Sequence, residues 1–296
     1  MRIRATVAAV SGALALSAFA VPAAQAADGG SSYRAEIAKV FAQHASGKSG
    51  IRATPATEGD LDVTFSNFRI AKAIKVGTTN HVGTAVTYTL THGADVDINS
   101  DSFVTIPLIY HGSSTTPDNA QGPDLPATCV ETSATTANCY GAIDIYPTET
   151  DPDLKLLNSQ AGTWHGAAIA MDIDTDETAL QVDGLGSTLV QRYSKLTVNA
   201  APEPVKKGKT ITVTGKLSRA NWETHKYAGY TNQSVKLQFR KKGSSTYTTL
   251  KTIKSNSTGD LKTTTTATGD GYFRYSFAGT TTTPAVNATG DFVDVQ

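Results

Sequence analysis

Beyond its first 26 residues the sequence has no apolar run long enough to cross a bilayer, so no membrane-spanning helix is expected in the rest of it. It holds only two cysteines, and with no histidine near them they do not make a structural zinc site. It also lacks G-x-S-x-G, H-E-x-x-H, a Gly-rich phosphate loop and C-x-x-C, so no motif nominates a catalytic residue. The chain is therefore read as non-enzymatic, with no catalytic or cofactor-binding residue assigned. No nucleic-acid recognition module is recognisable either, which excludes nucleic acid as the expected partner. Methionine is scarce and charged residues make up 18%, a modest share that, with abundant Thr, Val, Ser and Gly, suits strands and turns better than helices.

What the sequence does have begins at its start. Met1-Arg2-Ile3-Arg4 carries two positive charges, Ala5 to Val21 is apolar and small, and Ala24-Gln25-Ala26 offers small residues for cleavage. That is the pattern of a secretory signal peptide, removed after Ala26. The last residues, GDFVDVQ, carry neither an apolar tail nor a sorting signal, so a secreted, released, extracellular protein is expected. Cys129 and Cys139 both fall in CVETSATTANC, and in an oxidising compartment a disulfide closing this short segment is expected.

In SSYRAEIAKVFAQHASGKSG, the residues Tyr33, Ile37, Val40, Phe41 and His44 make one stripe of a short helix, with Ser32 as N-cap and Gly47 as stop. From about Leu61 the period changes to two. Val86, Tyr88 and Leu90 share one face of TAVTYTLTH, and SFVTIPLIYHG, GAIDIYP, WHGAAIAMDI and STLVQRYSKLTVNA read likewise as strands. Pro202 and Pro204 in NAAPEPVKKGK mark a linker. After it, GYFRYSF places Phe273, Tyr275 and Phe277 on a core-facing side. The expected organisation is a signal peptide (1–26), a short helix and polar link (27–59), an acidic β-sandwich with long loops (60–200), a linker (201–206) and a basic immunoglobulin-like β-sandwich (207–296). The fold class is thus all-β, two immunoglobulin-like sandwiches in tandem. Residues 27–200 hold 20 acidic against 10 basic side chains, a balance of −10, whereas 201–296 hold 6 against 14, a balance of +8. The halves face one another, or each faces a different partner.

The stretch formed by Trp222, GYTNQSVKLQFRKKG, TYTTLKTIKS, GDGYFRYSFAG and AVNATGDFVDVQ resembles the C-terminal immunoglobulin-like domains of secreted actinobacterial proteins of unknown function. The resemblance covers about residues 203–296 and implies fold and secretion. It brings no site residues with it, and fold alone supplies no function.

Two stretches are candidate sites. In AMDIDTDETALQVDG, Asp172, Asp174, Asp176 and Asp183 stand at relative positions 1, 3, 5 and 12. An EF-hand is rejected, because Glu177 occupies the position that needs Gly and Asp183 the position of the bidentate Glu. Two readings remain: a calcium site on a strand running into a turn, with Ile173 packed inward, or the wet face of that strand. In NWETHKYAGYTN, Trp222, Tyr227 and Tyr230 could stack on a sugar or cap the end of the sandwich. The basic excess, including Lys206, Lys207, Lys209, Arg240, Lys241 and Lys242, suits anionic wall polymers. Three His-Gly pairs, at His92, His111 and His165, either converge on a metal or stand exposed beside turns. The leading reading is extracellular interaction with a wall polymer, glycan or protein. A calcium-stabilised adhesion module comes next, and a secreted enzyme or enzyme inhibitor last.

Overall fold

The period-two segments pair into four sheets. A computed structural model of the chain describes Arg34, Ile37, Phe41 and residues 61–296. The expected signal peptide, and all of the expected helix and link except those three residues, lie outside the described residues.

In chain order the first ten strands are β1 (Val63–Ile70), β2 (Ala73–Val76), β3 (Val82–His92), β4 (Phe103–Ser113), β5 (Thr116–Gln121), β6 (Thr128–Ser133), β7 (Thr136–Ile145), β8 (Gly162–Asp172), β9 (Glu177–Gln181) and β10 (Ser187–Arg192). They form one sheet of order β1-β3-β7-β6 and a second of order β2-β10-β8-β4-β5, with β9 also on β8. On one side β8 pairs with β4 along most of its length; on the other it changes partner from β10 to β9 at Gly166. A Cβ there would lie 2.5 Å from the Leu185 carbonyl oxygen, so only glycine fits the crossing.

The alternation in β3 is realised as expected: Val86, Tyr88 and Leu90 are buried between the sheets. By contrast β4 and β8 are buried on both faces, which is why their sequences read as continuous apolar runs. Ile106, Leu108 and Tyr110 on β4 and Ala167 and Ile169 on β8 point away from the inter-sheet core into a second cluster, covered by Ile37 and Phe41. The Phe41 ring lies 5.2 Å from that of Tyr110. The expected disulfide is present, joining Cys129 and Cys139 at facing positions of β6 and β7.

The other ten strands are β11 (Ser194–Leu196), β12 (Asn199–Ala201), β13 (Thr210–Asn221), β14 (Lys226–Gly229), β15 (Ser234–Lys241), β16 (Thr248–Lys254), β17 (Asp260–Thr266), β18 (Gly271–Phe277), β19 (Val286–Asn287) and β20 (Asp291–Val293). The long β13 takes β11 and β12 on one side and β14 and β17 on the other. The facing sheet runs β16-β15-β18-β19, with β20 also on β18. Phe273, Tyr275 and Phe277 line its inner face, as their alternation requires.

The changeover between sandwiches lies earlier than expected. It falls at Tyr193, because β10 pairs in the first sandwich and β11 and β12 pair with β13 in the second. Residues 201–206 are not a free linker. Ala201 belongs to β12, and the Val205 side chain is buried in the second core, its backbone bridging to Val295. Pro202 and Pro204, which suggest a linker by composition, sit in a turn inside the domain, each after a cis peptide bond.

Candidate functional site

The four aspartates do not converge. Asp172 closes β8, and residues 173–176 form the hairpin turn to β9 rather than a continuing strand. Its Oδ1 accepts the backbone N–H groups of Asp174 at 2.9 Å and Thr175 at 3.4 Å, the ordinary use of an aspartate in a turn. Asp176 takes a left-handed backbone with φ 58°. Ile173 is 39% exposed instead of packed inward. Asp183 follows β9, so the length of that strand, about 17 Å, separates it from the turn.

Trp222 is not a surface ring. Its side chain is 0% exposed, packed in the core of the first sandwich although it follows β13 of the second. The indole Nε1 donates to the Val76 carbonyl at 3.3 Å, and the Trp222 backbone N–H donates to Asn158 Oδ1 at 3.1 Å. It therefore offers no face to a sugar. Tyr227 packs on the same core, with Lys195 Nζ 3.7 Å from its ring centre. Tyr230 packs on the second core, with the Arg219 guanidinium 3.9 Å from its ring centre. The expected trio is thus divided between two cores, and NWETHKYAGYTN is part of the seam between the sandwiches.

That seam is dense in hydrogen bonds. Arg192 Nε donates to the Ala220 carbonyl at 2.6 Å, and Gln191 Nε2 donates to the Thr280 carbonyl at 2.8 Å. Asn158 Nδ2 donates to Asn221 Oδ1 at 2.9 Å and to Glu223. Burial, and then the neighbouring Arg219 charge, lower the Arg192 guanidinium to about 10. Such groups hold a joint rather than greet a ligand.

The surface with recognition chemistry lies on the outer face of the β16-β15-β18 sheet. The alternation that sends Phe273, Tyr275 and Phe277 inward sends Tyr272, Arg274 and Ser276 outward, beside Lys236, Gln238 and Arg240 of β15. Arg240 lies 4.1 Å from the Tyr272 ring centre and 5.3 Å from that of Tyr247. Arg274 lies 3.7 Å from Tyr247, and Tyr272 in turn packs at 5.2 Å on Phe292. Arg274 Nε donates to Gln238 Oε1 at 2.9 Å, and Arg240 Nη1 to the Ser244 carbonyl at 2.5 Å. The guanidiniums thus sit over rings while most of their five donors stay free of these contacts. Of the neighbouring acids, Asp270 pairs with Lys242 at 3.3 Å and Asp291 accepts the Ala200 N–H at 2.7 Å. Of the lysines and arginines nominated for the basic half, Arg240 is the one built into this ladder, with Lys242 at its margin 5.4 Å from the Phe292 ring centre.

A separate cluster, which sequence reasoning missed, stands where β3 begins and β7 ends. His81 precedes β3, Asp124 follows β5, and Asp144 lies near the end of β7. Among the described residues they are the only three His, Cys, Asp or Glu side chains whose ligand atoms lie within 4.8 Å of one another. His81 Nε2 is 2.8 Å from Asp144 Oδ1, and Asp144 Oδ2 accepts the Asp124 N–H at 2.9 Å. The Tyr146 hydroxyl donates to Asp124 Oδ2 at 2.5 Å, and the His81 ring stacks on Tyr146 at 4.3 Å. The hydrogen bond to Asp124, and then burial, push the Tyr146 phenol up to about 12. Arg34 Nε stands 3.0 Å from Asp124 Oδ1 without hydrogen-bond alignment, and Arg34 Nη2 donates to Glu149 at 2.9 Å. The three expected histidines do not join this cluster or form one of their own: His92 is buried on β3, His111 pairs with Asp118 at 2.7 Å, and His165 stands opposite Tyr110.

No family model and no curated protein matches the sequence. Among solved structures, the chain is similar to the fibronectin(III)-like modules of Clostridium thermocellum CbhA, at 12% identity over 77% of this chain and 92% of that one, with a TM-score of 0.27. It is also similar to the Yersinia pseudotuberculosis adhesin InvE, at 12% identity and a TM-score of 0.25, over 80% of this chain and 61% of the adhesin chain. Against the D00-D0 domain of Intimin the identity is 16% and the TM-score 0.26, over 78% of this chain and 99% of that one.

Proposed function

We propose that the protein is a secreted, non-catalytic binding protein whose second sandwich grips an anionic extracellular polymer, such as a phosphate- or carboxylate-bearing glycan of a cell wall. The observation that carries this reading is the ladder of Arg240, Arg274, Tyr247 and Tyr272 on the outer sheet face. A guanidinium fixed on a ring loses little freedom on binding and presents a fork that matches phosphate or carboxylate. Rings beside it can lie against sugar faces. The signal-peptide pattern and the disulfide support export.

Cosedimentation and affinity electrophoresis of the full chain with polyglycerol phosphate, a uronate polymer and neutral dextran test the proposal. Binding to the anionic polymers is expected to weaken with salt and to fall at least about tenfold in Arg240→Gln/Arg274→Gln, the loss of about 1.4 kcal/mol. Equal retention on neutral dextran, or no retention on any polymer, would overturn it. So would concentration-dependent self-association abolished by the same substitutions, which would assign the face to the acidic half of another copy.

A further inference from the structure

We infer that His81, Asp124 and Asp144 form a binding site for a first-row divalent transition-metal ion of the zinc type. Three unrelated segments, the turn before β3, the loop after β5 and the end of β7, bring one imidazole and two carboxylates within 4.8 Å. An imidazole in the set points away from calcium and magnesium, which take oxygen ligands, and towards zinc and its neighbours.

The surroundings are arranged as the outer shell of a metal site is. The His81 ring is oriented by its stack on Tyr146, Asp124 by the Tyr146 hydroxyl and Asp144 by the Asp124 backbone N–H. Outer contacts of this kind hold ligands ready for an ion. Position 83 is a glycine facing Asp144 across the β3-β7 pair. A Cβ there would stand 3.2 Å from Asp144 Oδ1 and 3.6 Å from His81 Cε1, so the glycine keeps the space beside two of the donors open.

Charge points the same way. Among the described residues, Asp124, Asp144 and Glu149 contribute three carboxylates, and the Arg34 guanidinium pairs with Asp124 and Glu149. With the imidazole neutral, as a ligand must be, these four charged groups sum to two negative charges, which one divalent ion would balance. The His81 side chain is 42% exposed and that of Asp124 31%, which leaves an approach from solvent.

The test is isothermal titration of the metal-stripped full chain with zinc chloride, with magnesium and calcium chloride as comparisons. One zinc per chain is expected, with affinity reduced at least tenfold in His81→Ala and in Asp144→Asn and unchanged in Asp174→Ala. Cobalt(II) added in place of zinc is expected to give a visible d–d absorption that His81→Ala removes. Absence of zinc binding, or zinc and cobalt binding untouched by His81→Ala, would overturn the inference. Should Asp144→Asn fail to fold by circular dichroism, the solvent-exposed His81→Gln variant takes its place, with the same loss expected. Polymer retention is measured separately in chelator, so failure of the metal site and failure of the polymer face are distinguishable.

Discussion

The two sandwiches answer the same packing problem differently. In the first, β4 and β8 are apolar on both faces, so one of its sheets needs a cover outside the sandwich, part of which is supplied by Ile37 and Phe41. In the second, β18 alternates strictly between buried and half-buried residues, so its sheet needs none. Its outer face is free to carry Arg240, Tyr272 and Arg274. A sheet buried on both sides uses its side chains for packing, whereas one buried on a single side keeps a face for recognition.

The strongest way to break the contrast is to remove the residue that ignores it. Trp222 is contributed by the second sandwich and buried in the first, so Trp222→Ala is expected to cost about 3–5 kcal/mol. Denaturant unfolding followed by circular dichroism would show it, and two separated transitions would reveal that the sandwiches had become independent. Replacing Cys129 and Cys139 together by Ala acts on the first sandwich alone. It is expected to cost about 2–3 kcal/mol, measured as a lower unfolding midpoint, because a loop spanning 10 positions is released.

A smaller effect in the first sandwich is read by pH. The Tyr146 phenol is raised to about 12 from an ordinary 10.0, so its bond to Asp124 stabilises the fold fully below the ordinary value and is lost as pH rises through about 12. Tyr146→Phe is expected to cost about 1–2 kcal/mol at neutral pH and progressively less in this alkaline window. In the phenolate absorbance it should delete a late-titrating group. The smallest effect belongs to the hairpin tip: Asp174→Ala should leave stability within about 0.5 kcal/mol, with or without millimolar calcium. A calcium-dependent rise in melting temperature lost in that variant would restore the aspartates as ligands.

Much of the architecture was legible because its signals are local. The inward faces of β3 and β18 follow from Val86, Tyr88, Leu90, Phe273, Tyr275 and Phe277 at every second position, and the disulfide follows from two cysteines a short segment apart. What failed was non-local. Pro202 and Pro204 have the composition of a linker, yet the neighbouring Val205 is drawn into the core by the chain's own C-terminal end. Trp222 sits in a polar stretch, and nothing near it reveals that its core lies in the other sandwich. His81, Asp124 and Asp144 have no characteristic spacing, since a turn, a loop and a strand end far apart in the chain assemble them. A carboxylate amid Ile143, Ile145 and Tyr146 was the one available hint, because an acid placed within a buried strand needs a partner.

The hydrogen-bonded seam around Arg192, Asn158 and Trp222 has a consequence for the molecule as an electrical object. An acidic half and a basic half joined by a stiff joint make a permanent dipole rather than two charges that tumble separately. Near a negatively charged surface such a molecule experiences a torque and turns its basic end inward before any contact is made, so its acidic sandwich is presented outward to whatever comes next.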